Sequence, residues 1–304
     1  NRRIMMKDTF SNMHPFINFI FFALTIGFTM FIMNPVCLAV SFLCALVTAL
    51  YLNGKKAVRL SLVFLLPMIL LIVLVNPVFN HEGMTILTYF PWDNPLTLES
   101  IVYGIASAFL LSSTVLWFSS FNAVITSDKV VFLFGRIMPS LSLVISMALR
   151  FVPRFSAQMK LVRNAQHTIG RDIDEGTLFQ RIRNAVKILS IMITWSLENA
   201  IETADSMKSR GHGLKGRTSY SLYKFDKRDA FMLCTILFTG LVLMILLFTN
   251  AIKFRYYPSI KGDLFTVQSV IFYIFYTFLM LIPLSVNIGA VSYTHLRAHE
   301  TRRH

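Results

Sequence analysis

The run Met207-Lys208-Ser209-Arg210-Gly211-His212-Gly213 sets an arginine between a small hydroxyl residue and a glycine, where the surrounding periodicity ends a helix. Arginine offers a planar, permanently charged fork that matches a carboxylate with parallel hydrogen bonds, and glycine lets another backbone come close. That is recognition chemistry. A second helix end upstream, Asn164-Ala165-Gln166-His167-Thr168-Ile169-Gly170-Arg171, has a comparable composition with its cation beyond the glycine. On spacing alone, both ends also suit ordinary capping, in which glycine closes the last turn and a cation meets the negative end of the helix dipole.

Catalytic chemistry finds fewer footholds. Glu198, Glu202 and Asp205 form an acidic row at steps of four and three, with His212 just beyond. The row reads as a solvated face or as local ion pairs with a basic neighbouring helix, electrostatic and not catalytic. The run from Gly211 to Thr218 imitates a phosphate-binding loop, with Arg217 where lysine belongs. A true loop of that kind follows a strand and opens a helix, whereas this run follows a helix and enters coil rich in Tyr and Ser. No catalytic residue is assigned, and ATP hydrolysis by this chain is not expected. His295 and His299 are four apart without a third ligand, and Cys37, Cys44 and Cys234 lie in apolar runs where they read as small buried hydrophobes. The expectation is no metal site, no disulfide and no cofactor.

The elements that must carry the arginines sit in a chain that is otherwise built for lipid. Of 304 residues 55% are hydrophobic and the mean hydropathy is +0.61, beyond the roughly 45–50% apolar content of soluble domains. Six uncharged runs, 16–33, 36–52, 60–75, 101–121, 230–252 and 267–290, each approach the roughly 17 to 25 residues of a helical span. The fold class is therefore an all-α polytopic membrane protein with about six transmembrane helices plus a cytoplasmic coupling domain of long amphipathic helices. Four spans occupy 1–128, an interfacial helix and the coupling helices 129–229, and the last spans 230–291. The segment 292–304 departs from the last span like a foreign or disordered tail, and the basic N-terminus leads into further spans and not into a signal-peptide cleavage site.

Charge then sets the orientation. Between Arg150 and Arg228 lie 15 of the 29 Lys and Arg but only 7 of the 15 acids, so this block carries +8 of the net +14. With four spans before it, the block falls on the same side as Arg2, Arg3, Lys7, Lys55, Lys56 and Arg59, while the Lys- and Arg-free loop 80–100 falls on the other. The block is expected in the cytoplasm. Positive charge beside spans points to cytoplasmic loops or lipid heads and away from nucleic acid. Lys253, Arg255 and Lys261 lie in the opposite loop and run against the rule. The apolar stretch 129–150, interrupted by Gly135, Arg136 and Pro139, is expected to lie along the interface and not to cross.

Two long helices are expected within the block. In 149–168, Arg150, Arg154, Lys160 and Arg163 alternate with Phe151, Phe155, Met159 and Val162. In 179–208, Ile182, Val186, Leu189, Ile193, Leu197, Ala200, Ala204 and Met207 recur at steps of three and four and form one stripe. The stretch 188–195 is apolar almost all round, so burial on more than one side is expected there.

Arg150-Phe151-Val152-Pro153 with the helix end at Ala165-Gln166, and then the run from Ile201 to Gly211 that contains Glu202, Thr203, Ala204, Asp205 and Ser206, resemble the transmembrane scaffold (T) component of energy-coupling factor (ECF) transporters, the EcfT/CbiQ family. The similarity covers residues 14 to 229, and the second motif is its most discriminating part. The resemblance implies importers of the ABC class for vitamins or transition metals, located in the plasma membrane of a prokaryote. In that family two cytoplasmic coupling helices each end in Ala-Arg-Gly, and each tip docks in one ABC ATPase subunit. Carried over, Ser209, Arg210 and Gly211 form the second docking motif with Ser in place of Ala. The first departs from the pattern, with Ile169 where Arg is expected and Arg171 following Gly170. The resemblance further implies a separate substrate-binding membrane subunit (S component) as partner.

An autonomous secondary transporter or channel is the alternative. Such proteins place charged side chains inside their spans, and the six runs have none. An intramembrane enzyme would need a nucleophile or acid–base cluster, for which the acidic row is the only candidate. The small residues Gly104, Ala106, Ser107, Ala108, Ser112 and Ser113 mark a close helix contact, either with the substrate subunit or with a neighbouring span.

Overall fold

The computed structural model describes residues 9–89, 94–171, 173–174, 176–212, 214, 223 and 225–300; for 136–137, 139–140 and 290–300 it describes the backbone alone. The chain falls into two compact units, 1–126 together with 223–304, and 127–222.

Prolines and polar caps start the helices of the first unit. Helix α1 (Pro15–Phe31) opens on Pro15, with His14 Nδ1 accepting from the Phe16 N–H, and α2 (Pro35–Asn53) opens on Pro35, with Asn34 Oδ1 accepting from Val36 at 3.0 Å. Proline fits there because the first helical N–H has no intrahelical partner to lose. Gly54, at φ +53, turns the chain into α3 (Lys55–Leu60), which passes through a π-helical stretch, 61–65, into α4 (Leu66–Phe79). Pro67 explains the π stretch: it cannot donate to Val63, its ring crowds that carbonyl, and widening the turn relieves both. After an antiparallel pair, β1 (Ile86–Tyr89) and β2 (Pro95–Thr97), α5 (Leu98–Val124) is capped by Thr97.

The second unit consists of α6 (Ser127–Ile137), α7 (Pro139–Thr168) and α8 (Leu178–Ser209). The first unit resumes with α9 (Lys227–Phe248), a short ladder of β3 (Phe254–Arg255) and β4 (Lys261–Gly262), and α10 (Val267–Glu300).

Among the described residues, five helices are long and apolar enough to cross a membrane: Pro35–Asn53, Lys55–Phe79, Leu98–Val124, Lys227–Phe248 and Val267–Gly289. The sequence suggests about six; α1 is apolar but has 17 residues, about 25 Å at 1.5 Å each. The bundle buries polar side chains beside its apolar core and turns large apolar side chains outward. Thr25, Thr29, Ser41, Ser112, Ser113 and Ser120 are buried, whereas Leu62, Val63, Phe64, Leu70, Leu71 and Leu74 on one span are more than half exposed. Such a surface requires lipid as its solvent. The chain is a polytopic all-α membrane protein.

The core of the first unit is aromatic. Trp117 meets Phe21 and Phe22 edge-on at 6.2 and 6.4 Å, and its indole N–H donates to Ser41 Oγ at 3.1 Å. Ser41 in turn shares a 2.9 Å hydrogen bond with Thr29, so these three buried polar groups satisfy one another. The small face of α5 is occupied within the chain: a Cβ on Gly104 would stand 3.1 Å from Asn76 Cβ and 3.7 Å from Val73 Cα of α4. Of the two contacts the sequence leaves open, that residue makes the one with a neighbouring span.

Three expectations are corrected. Cys37 and Cys44 are buried, but Cys234 is exposed, because the outer face of a span is as apolar as its inner face and leaves no mark in the sequence. The stretch 129–150 is not one interfacial helix: the chain breaks at Met138, before Pro139, and residues 139–150 continue into the first long helix of the block. The last helix does not end near 290; its backbone stays helical through Glu300, a stretch without Gly or Pro. Residues 301–304 lie outside the described residues, as do the side chains of His295 and His299.

Candidate functional site

Helices α7 and α8 pack through an aromatic group. Phe151 and Phe155 lie 5.7 and 6.4 Å from Trp195, and the Arg154 guanidinium sits 5.9 Å over the same indole. Ile188, Met192 and Asn199 are buried, with Trp195 half-buried between them. These positions recur at steps of three and four, so one stripe of α8 makes the contact.

It is not the stripe singled out from the sequence. Ile182, Val186, Leu189, Ile193 and Leu197 are 51–61% exposed, Ala200 and Ala204 are exposed, and Ile201 is 65% exposed. The middle of α8 is therefore buried on one side and open on the other. Periodicity identifies residues that share a face; with apolar residues on both faces it does not choose which one α7 covers. The result is an apolar strip that runs five helical turns, from 182 to 201.

The two helix ends are closed by the same device. At the end of α7, Gly170 has φ +69, its N–H donates to His167 O at 3.0 Å, and the Arg171 N–H donates to Gln166 O at 2.9 Å. At the end of α8, Gly211 has φ +78, its N–H donates to Lys208 O at 3.0 Å, and the His212 N–H donates to Met207 O at 3.0 Å. Both are Schellman motifs, in which glycine takes the left-handed conformation that side chains resist. A hydroxyl residue precedes each tip and donates back into its helix, Thr168 Oγ1 to Asn164 O four residues earlier and Ser209 Oγ to Ser206 O three residues earlier.

This register fixes the correspondence of side chains. Ile169 (φ −100, ψ 18) stands where Arg210 (φ −82, ψ 10) stands, and Arg171 corresponds to His212. The displaced arginine of the first end is therefore not a rotation of about 100° around a continuing helix. The chain has already turned at the glycine, and Arg171 belongs to the loop. Arg171, Gly170, Ser209 and Arg210 are exposed, and Gly211 is half-buried, with Leu214 Cδ1 3.1 Å from the place a Cβ would occupy.

Sequence reasoning did not single out Asp174. Its carboxylate pairs with Arg163 of α7 and its carbonyl accepts from Arg181 of α8, tying the first tip's loop to both helices. Gln180 Oε1 accepts from the Thr177 N–H at 3.1 Å at the start of α8, one arm of a capping box. The Thr-x-x-Gln spacing was the available signal. Glu198, Glu202 and Asp205 are exposed along α8. Gly213 and residues 215–218 of the phosphate-loop-like run lie outside the described residues. Among the described residues no group of three or more His, Cys, Asp or Glu could hold a metal ion.

The profile of the CbiQ family, described as cobalt transport protein, matches residues 7–220. Three curated relatives are named energy-coupling factor transporter transmembrane protein EcfT. That of Lactobacillus helveticus is 40% identical over 106 residues, 34% of this chain and 38% of the relative. That of Streptococcus thermophilus is 33% identical over 138 residues, 45% and 52% of the two chains, and that of Lacticaseibacillus paracasei 29% over 181 residues, 59% and 69%. The chain thus spans about half or less of the first two relatives' length.

Proposed function

The chain belongs to the CbiQ family of cobalt transport proteins, and on that premise we propose that it is the transmembrane scaffold of an ECF-type ABC importer. In this reading the unit 127–222 is cytoplasmic and couples two ATPase subunits to a separate substrate-binding membrane subunit, for uptake of a vitamin or transition metal across a prokaryotic plasma membrane.

The observation that carries the proposal is the pair of matching, exposed Schellman ends, one of which presents Arg210 immediately before its glycine. An exposed guanidinium at a rigid helix end is a ready partner for an acidic groove, and a glycine at φ +78 holds the turn that aims it. ATP-driven movement at those tips would be transmitted along α7 and α8 as a tilt or slide of packed helices. The apolar strip of α8 supports the second half of the reading, since a strip of this length marks a site for an apolar partner such as the substrate-binding subunit.

The charged side chains of the five long spans, within 35–289, are Lys55, Lys56, Arg59, Glu99, Lys227, Arg228 and Asp229, all in the first turns of their helices. A proton or ion path through the chain itself would call for such groups at mid-depth. The decisive experiment is purification of the tagged chain with its bound subunits, comparing wild type with Arg210→Ala in ATPase capture and ATP-driven uptake. Normal capture together with unaltered uptake in the variant overturns the docking role.

A further inference from the structure

In the first unit, α1 and α9 run parallel: Leu24 packs on Gly240, and both helices end at an open groove between them. Gly27, Phe28 and Phe31 from one side and Met244, Leu247 and Phe248 from the other help to enclose about 440 Å³. That is within the roughly 300–1,000 Å³ of ligand sites. Every lining residue is apolar or glycine, and Gly27 leaves the floor open, with no atom within 4 Å of where its Cβ would be. A polar ligand has no partner there; a hydrocarbon chain does.

The loop that follows α9 supplies charge. It lies on the same side of the bundle as the loop 80–97, to which it is bonded by Met84 N–H to Pro258 O at 3.0 Å and by Asn80 Nδ2 to Tyr257 Oη at 2.8 Å. The loop 80–97 has no Lys or Arg, yet the loop 249–266 carries Lys253, Arg255 and Lys261, all exposed, against a single acid, the exposed Asp263, for a net charge of +2. Arg255 and Lys261 are moreover directly opposite partners in the β3–β4 ladder, an arrangement in which like charges repel. An anion near the pair removes that repulsion.

We infer that the α1–α9 groove and the cationic β3–β4 hairpin together form a binding site for one anionic glycerophospholipid, its acyl chain along Gly27 and its phosphate beside Arg255 and Lys261. Apolar lining with cations beyond the helix ends is the combination that such a molecule matches at once.

The test uses the full chain with whatever subunits accompany it, relipidated with equimolar phosphatidylglycerol and phosphatidylethanolamine, with retained lipid counted by native mass spectrometry. Phosphatidylglycerol is expected at least fivefold in excess. Gly27→Leu and, separately, Ala23→Leu fill the groove and should each lower retention at least fivefold. The triple variant K253Q/R255Q/K261Q should keep a lipid but lose the headgroup preference. Equal retention of both lipids by wild type, or unchanged retention in both groove variants, overturns the site. A photoreactive side chain at Ala23 should capture lipid; capture of a polypeptide instead means that another subunit's helix fills the groove and equally defeats the inference.

Discussion

The ends of α7 and α8 share a backbone and differ in what they display. Each closes on a left-handed glycine with the same two hydrogen bonds, but the residue before the glycine is Ile169 in one and Arg210 in the other. Geometry and chemistry have separated. The same turn closes both tips, while only the second carries a charge immediately before its glycine. The first tip instead carries Arg171 on the loop side of its glycine, in a loop braced through Asp174.

If the two tips are unequal in this way, Arg210→Ala has the largest consequence, on the order of 30-fold or more in ATPase capture if it acts as an interface anchor. Arg171→Ala should cost under about threefold, and Ile169→Arg should strengthen capture at the first tip. Equal losses for Arg210→Ala and Arg171→Ala in the same pull-down would show that the tips are interchangeable. Next comes Trp195→Ala, which removes the ring shared by Phe151, Phe155 and Arg154. Since the side chain is half-buried, about 2–3 kcal/mol of stability is expected to go, somewhat less than for a fully buried tryptophan, and both tips should suffer alike. Thermal unfolding in detergent with capture measured in parallel would check this.

Substitutions of the glycines follow. Gly170→Ala meets open space and Gly211→Ala meets only the movable end of the exposed Leu214 side chain, so each should cost mainly the left-handed backbone strain, about 1 kcal/mol. Hydrogen exchange in the last turn of each helix would check that the two losses match. The smallest effect belongs to Asp174→Ala, since Arg163 and Asp174 are 46% and 71% exposed and such pairs contribute less than about 1 kcal/mol. The loss should shrink further at high salt and should be confined to the first tip.

Much of this was legible in the residues. Uncharged runs located the five long spans, and Gly170 and Gly211 marked the ends of the two long helices within a residue or two. Where a helix must stop, the cause is local, and local causes are written in sequence. The unit boundary near 223 falls close to the end of the basic block at 228, whereas the one at 126 precedes the apolar stretch 129–150 and has no change in polarity to mark it.

Two features belonged to tertiary structure. The covered face of α8 is that of Ile188, Met192 and Trp195, not that of Ile182, Val186 and Leu189, because both faces are apolar and packing against α7 chose between them. The equivalence of Arg171 with His212, and not with Arg210, emerged only from the backbone, since a glycine at positive φ reverses the chain and cancels helical bookkeeping beyond it. Sequence determines which residues travel together on a helix and where the helix stops; what each face meets depends on atoms that lie far away along the chain.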